Sequence, residues 1–172
     1  MAEAATEQLQ LHRVTFVPAS RNPLKIEGPT ISTRHRLEML HIGLAGNPRF
    51  SVWEGELYRD GPSYTLHSIE HLERVYPNAH LFWIIGSDHL PELSRWYGIE
   101  HLVRKVSFIL VQRPGYSFDW PHITGLTVFP VDNPLNPVSA TEVRSRASRG
   151  EPLKGLVPPG VEAYIRDNAL YR

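Results

Sequence analysis

Two short apolar runs constrain the fold more than anything else in the chain: Leu81-Phe82-Trp83-Ile84-Ile85 and Val106 to Val111. Neither alternates regularly between apolar and polar residues, so neither reads as a strand with one wet face. Such runs are strands covered on both sides, as in a parallel sheet flanked by helices. Each leads directly into a polar turn, Gly86-Ser87-Asp88 after the first and Arg113-Pro114-Gly115 after the second. Shorter strands are expected at Val14–Val17, Phe50–Trp53 and Leu126–Phe129. Helical patterning covers Ala2–Leu11, Arg36–Leu44, Tyr64–Tyr76 and Val161–Ala169. Strands alternating with helices predict an α/β sandwich with a mainly parallel sheet. Ligands of such sheets bind beyond the carboxyl ends of the strands. Those ends carry Ser20 and Arg21, then Gly86 and Asp88, then Arg113, which makes a polar rim.

The segment Val138-Ser139-Ala140-Thr141-Glu142-Val143-Arg144 adds a second signal. Ser139 followed three residues later by Glu142 is a capping box, which should open a helix. Thr141 and Arg144 then fall in its first turn, where free backbone N–H groups and the helix dipole attract anions. An ordinary capped helix with a surface arginine would have the same sequence, so the segment alone does not decide between the two.

Composition narrows the setting. The 172 residues suit one domain with a hydrophobic core. Eighteen basic and eighteen acidic side chains cancel, so no global field draws the chain to nucleic acid or a membrane, and any anion site must be local. There is no cysteine, hence no disulfide, thiolate metal site or cysteine nucleophile, which suits the cytoplasm. The apolar runs are too short to span a bilayer.

Other constellations have a plain reading beside a functional one. Asp88 could hold a ribose hydroxyl or a metal, or could cap the following helix. Trp96, in Leu93-Ser94-Arg95-Trp96-Tyr97, could stack on a planar ring or anchor the core. Ser63 could cap the helix that Thr65 begins. Arg21 and Lys25 share a loop that could bind phosphate or simply stay solvated. His67-Ser68-Ile69-Glu70-His71 has the H-x-x-E-H spacing of some zinc peptidases. However, Leu66, Ile69, Leu72 and Tyr76 form the apolar face of that helix, so both histidines fall on or near the polar one. His35, His41, His80, His101 and His122 have no consistent ligand spacing and read as surface residues.

Taken in order, these residues resemble bacterial nicotinate-nucleotide adenylyltransferase. The likeness runs through Phe16-Val17-Pro18-Ala19, Asn22-Pro23-Leu24-Lys25, Arg36-Leu37-Glu38-Met39-Leu40, Pro62-Ser63-Tyr64-Thr65 and Gly86-Ser87-Asp88-His89-Leu90. It continues in Leu93-Ser94-Arg95-Trp96, Arg113-Pro114-Gly115-Tyr116, Ser139 to Arg144, Val157-Pro158-Pro159, Tyr164-Ile165 and Leu170-Tyr171-Arg172. The resemblance implies a Rossmann-like nucleotidyltransferase fold with helices on both faces of the sheet. It implies transfer of AMP from ATP to nicotinate mononucleotide, giving deamido-NAD and pyrophosphate, with Mg²⁺ accompanying the triphosphate. By the family pattern, Ser139, Thr141 and Arg144 hold ATP phosphates, and Gly86 and Asp88 contact the nucleoside. Thr65 and Trp96 line the nicotinate pocket, and Lys25 lies near the reacting phosphates. Two rival readings are a nucleotide-binding relative without chemistry and an adenylyltransferase for another phosphorylated acceptor.

Three departures from the family are small: Leu24 for a histidine, Ser87 for an alanine and Ala140 for a serine. One is large. The family begins with a central strand and the motif G-x-F-x-P-x-H-x-G-H, and no H-x-G-H occurs in this sequence. Losing preorganised donors of that kind typically costs about 10²–10³ in rate for each one. The expectation is therefore a single nucleotidyltransferase-like domain over residues 1–172, shortened at its N-terminus and impaired as it stands.

Overall fold

A computed structural model describes residues 1–21, 23, 31–116, 121–135 and 137–172. In chain order the elements are α1 (Ala2–Gln8), β1 (Val14–Phe16), α2 (Thr33–Leu44), β2 (Phe50–Val52), α3 (Thr65–Val75) and β3 (Phe82–Gly86). A 3₁₀ helix (Ser87–Arg95), α4 (Ile99–Leu102), β4 (Ser107–Val111), β5 (Val128–Val131), α5 (Ala140–Ser148) and α6 (Pro159–Asp167) complete them. Contacts group the chain into two compact units, one of Met1–His12 with Pro62–Pro137 and one of Arg13–Gly61 with Val138–Arg172.

The first unit is built on a three-stranded parallel sheet in the order β3-β4-β5, with Ile84 opposite Ile109 and Ile109 opposite Phe129. Strand alternation sorts its side chains onto two faces. Phe82, Ile84, Ile109 and Val131 pack with Ala5 of α1 on one face. Trp83, Ile85, Phe108, Leu110 and Val128 pack with Leu66 and Ile69 of α3, Leu90, Leu93 and Leu102 on the other. Helices thus cover both faces. Strand β4 is flanked on both edges and buried along all five residues, with Phe108, Ile109 and Leu110 at 0 % exposure. The Gln8 side chain fastens α1 to the end of β5 by accepting from Asp132 N at 3.0 Å and donating to Asp132 O.

The second unit holds a two-stranded parallel sheet, β1 beside β2, with Val14 opposite Phe50 and Phe16 opposite Val52. Its main apolar cluster joins Ala147 and Val143 of α5, Val161, Tyr164 and Ile165 of α6, and Met39 and Ile42 of α2, with Leu153, Leu170 and Tyr171. Helix α6 begins with Pro159 in its first turn, where a missing N–H costs nothing. Gly160 then lets α6 approach α2 closely, since a Cβ there would lie 2.7 Å from Ile42 Cγ2. Strands β1 and β3 are each hydrogen-bonded along one edge only, among the described residues.

The expected elements are present with shifted ends. Helix α2 starts earlier, at Thr33, because Ser32 caps it by accepting from His35 N. Strand β5 falls two residues late and contains Pro130, which is tolerated because β5 is an edge strand. Strand β3 is not buried on both faces as expected. Only Ile85 is fully buried, because β3 has β4 on one side and no second neighbour among the described residues. The 3₁₀ helix and α4 carried too little periodicity to read from sequence. His35 is half-buried rather than on the surface and shares a 2.9 Å hydrogen bond with the Tyr164 hydroxyl.

Candidate functional site

The carboxyl ends of β3, β4 and β5 form a laced rim in the first unit. Gly86 closes β3, and Ser87 follows with its hydroxyl fully buried, accepting from Arg113 N at 2.8 Å. Asn133, just past β5, accepts from Gln112 N at 2.9 Å and donates to Gln112 O at 3.1 Å. These side chains replace the ladder bonds that end with the strands and fix the turns. Asp88 sits in the first turn of the 3₁₀ helix without capping it, so the plain reading of this carboxylate fails. Its Oδ1 instead folds back onto Gly86, where any Cβ would overlap it. The stem of Arg113 closes the same position, with its Cγ 3.1 Å from where that Cβ would stand. Gly86, Asp88 and Arg113 are thereby brought together.

Thr65 and Trp96 each adjoin one member of a stacked tyrosine pair. Thr65 is the first residue of α3, whose cap position is Tyr64 with no side-chain cap bond, so Ser63 is not the cap. Tyr64 stacks on Tyr97 with ring centroids 4.4 Å apart, which draws the start of α3 to the end of the 3₁₀ helix. Trp96 and Tyr97 therefore do different things. Tyr97 is 54 % exposed and its ring partner is Tyr64, whereas Trp96 packs edge-on against Phe108 and His89. Trp96 is thus a packing residue, but its Nε1 is shut from solvent with no acceptor among the described residues. An indole N–H in that state calls for a hydrogen-bond partner.

His67 packs edge-on against Tyr64 and Tyr97, so the zinc-peptidase spacing has a structural explanation. Among the described residues no three histidine, aspartate or glutamate side chains cluster as metal ligands.

In the second unit the capping box is half realised. Ser139 Oγ accepts from Glu142 N at 3.1 Å, but the Glu142 carboxylate turns to Arg146 Nε at 2.6 Å. Thr141 occupies the first turn of α5 and Arg144 begins the second, where its Nη2 donates to Thr141 Oγ1 at 3.3 Å. Ser139, Thr141 and Arg144 thus lie together at the start of α5. Two residues of the quoted motifs join them without having been singled out. Burial raises the Tyr171 phenol above its ordinary pKa, while the Arg144 and Arg36 guanidiniums beside it pull the other way. Arg36 Nη2 donates to Ala19 O at 2.6 Å, tying α2 to the segment after β1. Lys25 lies outside the described residues.

Known proteins resemble the chain over nearly its whole length. A cytidylyltransferase-like family model matches residues 1–146. The "Probable nicotinate-nucleotide adenylyltransferase" of Geobacillus kaustophilus is 37 % identical over 171 residues, covering 99 % of this chain and 77 % of that protein. The nicotinate-nucleotide adenylyltransferase of Bacillus subtilis is 34 % identical, covering 99 % and 88 %. Among solved structures, the nicotinic acid mononucleotide adenylyltransferase of Plasmodium falciparum complexed with NaAD superposes with a TM-score of 0.75. That match is 17 % identical and covers 99 % of this chain and 89 % of the other, so it speaks to the fold alone.

Proposed function

Because the chain belongs to the cytidylyltransferase-like family, and within it to the nicotinate-nucleotide adenylyltransferases, we propose that it transfers AMP from ATP to nicotinate mononucleotide. The observation that carries this reading is the extent of the likeness, which spans 99 % of the chain rather than one motif. The 5′-phosphate oxygen of the mononucleotide attacks the α-phosphorus of ATP. A new P–O–P bond forms, the α–β bridge breaks, and pyrophosphate leaves with its electron pair. The products are deamido-NAD, an intermediate of NAD biosynthesis, and pyrophosphate. No covalent enzyme intermediate is needed, so the protein acts by positioning and by stabilising charge on phosphate oxygens.

The residue roles follow from local chemistry. Gly86 lets the backbone approach the nucleoside, and the Asp88 carboxylate accepts from a ribose hydroxyl. The α5 amides, Ser139, Thr141 and Arg144 take phosphate oxygens. Thr65 and the unmatched Trp96 Nε1 face the acceptor's nicotinate carboxylate and ring. Lys25 serves the reacting phosphates. The donor set offers no cage of protein carboxylates among the described residues, which fits an Mg²⁺ that arrives on the triphosphate and keeps most of its waters. When bound, that ion neutralises charge on the phosphate oxygens. No helix among the described residues is long and apolar enough to cross a membrane. This reading sets the reaction in the cytoplasm.

In the family, the histidines of the G-x-F-x-P-x-H-x-G-H strand stabilise the transferring phosphate. In this reading residues 1–172 act as one nucleotidyltransferase-like domain. The test is formation of deamido-NAD from nicotinate mononucleotide, ATP and Mg²⁺, by this chain and by a version extended with that strand. Turnover by the extended version, with little from the shorter one, supports the proposal. Silence from both, with ATP still bound, would leave a non-catalytic binder. Trp96→Ala should then weaken the mononucleotide and spare ATP. An acceptor affinity untouched by it points to a different phosphorylated acceptor.

A further inference from the structure

We propose that Arg36 is a phosphate-binding residue, acting with Arg144 and Tyr171 on the polyphosphate of the nucleotide. The inference rests on the nucleotidyl-transfer reading above and adds a second cation to its phosphate site.

The argument begins with helix periodicity. Arg36 lies three residues before Met39 on α2, and Arg144 lies three residues before Ala147 on α5, so each shares a face with the residue that follows it. Met39, Ala147 and Tyr171 belong to one apolar cluster. Both guanidiniums therefore leave early turns of their helices on the side where Tyr171 packs. Each is close enough to the Tyr171 hydroxyl to favour its ionised form.

The next step is a count of partners. Arg36 spends Nη2 on the Ala19 carbonyl, while Nη1 is shut from solvent without an acceptor among the described residues. Arg144 donates to the neutral Thr141 hydroxyl. Neither arginine belongs to an ion pair among the described residues. An arginine with a purely structural role would have its fork filled by a carboxylate or by several carbonyls. A cationic N–H left buried and unmatched is among the costliest arrangements a folded chain can hold. Two guanidiniums, a phenol O–H and the first amides of α5 would together supply only donors, and two of them are charged. A polyphosphate has acceptor oxygens of the matching number and sign, and guanidinium forks bind such oxygens two at a time. Ala19 follows β1, so the same Arg36 side chain would couple that segment to the bound anion.

The test is calorimetric titration of the full chain with inorganic pyrophosphate, orthophosphate and ATP, together with melting of each protein with and without pyrophosphate. Arg36→Gln keeps a donor for Ala19 but removes the charge and the second fork. It should weaken pyrophosphate and ATP by about ten- to a hundredfold. Tyr171→Phe should weaken them about fivefold, as expected for a neutral donor. Unliganded Arg36→Gln should melt no lower than the wild type, since it relieves an unmatched cation. Pyrophosphate should raise the wild-type melting temperature and leave that of the variant nearly unchanged. If Arg36→Gln does not fold, Arg36→Lys carries the test, with affinity expected between wild type and none. Wild-type-like pyrophosphate binding in the Arg36 variant, with loss in Arg144→Gln, would overturn the role of Arg36 and leave the enzymatic reading intact. Equal affinity for orthophosphate and pyrophosphate would overturn the polyphosphate assignment. A wild type that binds neither pyrophosphate nor ATP would sink the underlying reading itself.

Discussion

Replacing Gly86 with alanine should separate ligand binding from stability. Gly86 has φ −81° and ψ 154°, an ordinary extended conformation, so alanine meets no backbone strain there. The obstacle is the Asp88 carboxylate, which occupies the space of the new methyl group, with Arg113 Cγ 3.1 Å away on the other side. The Asp88 carboxylate ends a short side chain that can rotate, at a cost of about 0.5–1.5 kcal/mol if it leaves its rotamer well. Against that, alanine stiffens the unfolded chain and contributes about 0.4–1 kcal/mol of stability. The two terms nearly cancel, and stability should change by less than about 1 kcal/mol either way. Binding has no such compensation. In the proposed reading, a carboxylate driven off its position loses a charge-assisted hydrogen bond to the nucleoside worth about 1.5–3 kcal/mol, or roughly ten- to a hundredfold in the Kd for ATP. Urea melts and calorimetric ATP titrations of wild type, Gly86→Ala and Asp88→Asn would measure both quantities. Gly86→Ala should match Asp88→Asn in affinity and the wild type in melting midpoint. Unchanged ATP affinity, or a stability loss above about 3 kcal/mol, would refute the reasoning.

Further outcomes follow from the same geometry. Ser139→Ala removes the cap bond to Glu142 N and should cost about 1 kcal/mol in a denaturant melt. Ser139→Asp should keep that stability yet lose pyrophosphate in a titration, because its carboxylate would occupy the proposed anion seat. Phe108→Ala, at 0 % exposure in the central strand, should cost about 3–5 kcal/mol by the same melt. Tyr171 has its folded-state pKa raised above 10.0, chiefly by burial, so the folded chain holds that proton more tightly than the unfolded one. Its share of stability is fully present below pH 10 and is lost as pH climbs through the raised value. Melting temperatures across that range should fall less steeply for Tyr171→Phe than for the wild type.

Alternating short elements, and the turns Gly86-Ser87-Asp88 and Arg113-Pro114-Gly115, were legible from residue order alone. So was the Ser139 cap. All of these are local: a strand's pattern, a proline, a glycine or a cap acts within a few residues of itself. Family motifs likewise named Asp88, Trp96, Thr141 and Arg144 without coordinates. Pairing over distance was not legible. That β3 lacks a second neighbour among the described residues and so is only half-buried depends on which strands lie beside it.

The tertiary structure likewise decided that Ser87 seals the turn onto Arg113, twenty-six residues away, and that Tyr97 stacks on Tyr64 rather than joining Trp96. It also decided that Arg36 has one hand on Ala19 and the other buried without an acceptor among the described residues. In the sequence Arg36 is one more cation on a helix. Only folding removes water from its nitrogen, and an unmatched donor has a cost only once water is gone. The residue types, their local geometry and their family were therefore written in the chain, whereas which side chains were left wanting a ligand was settled by packing.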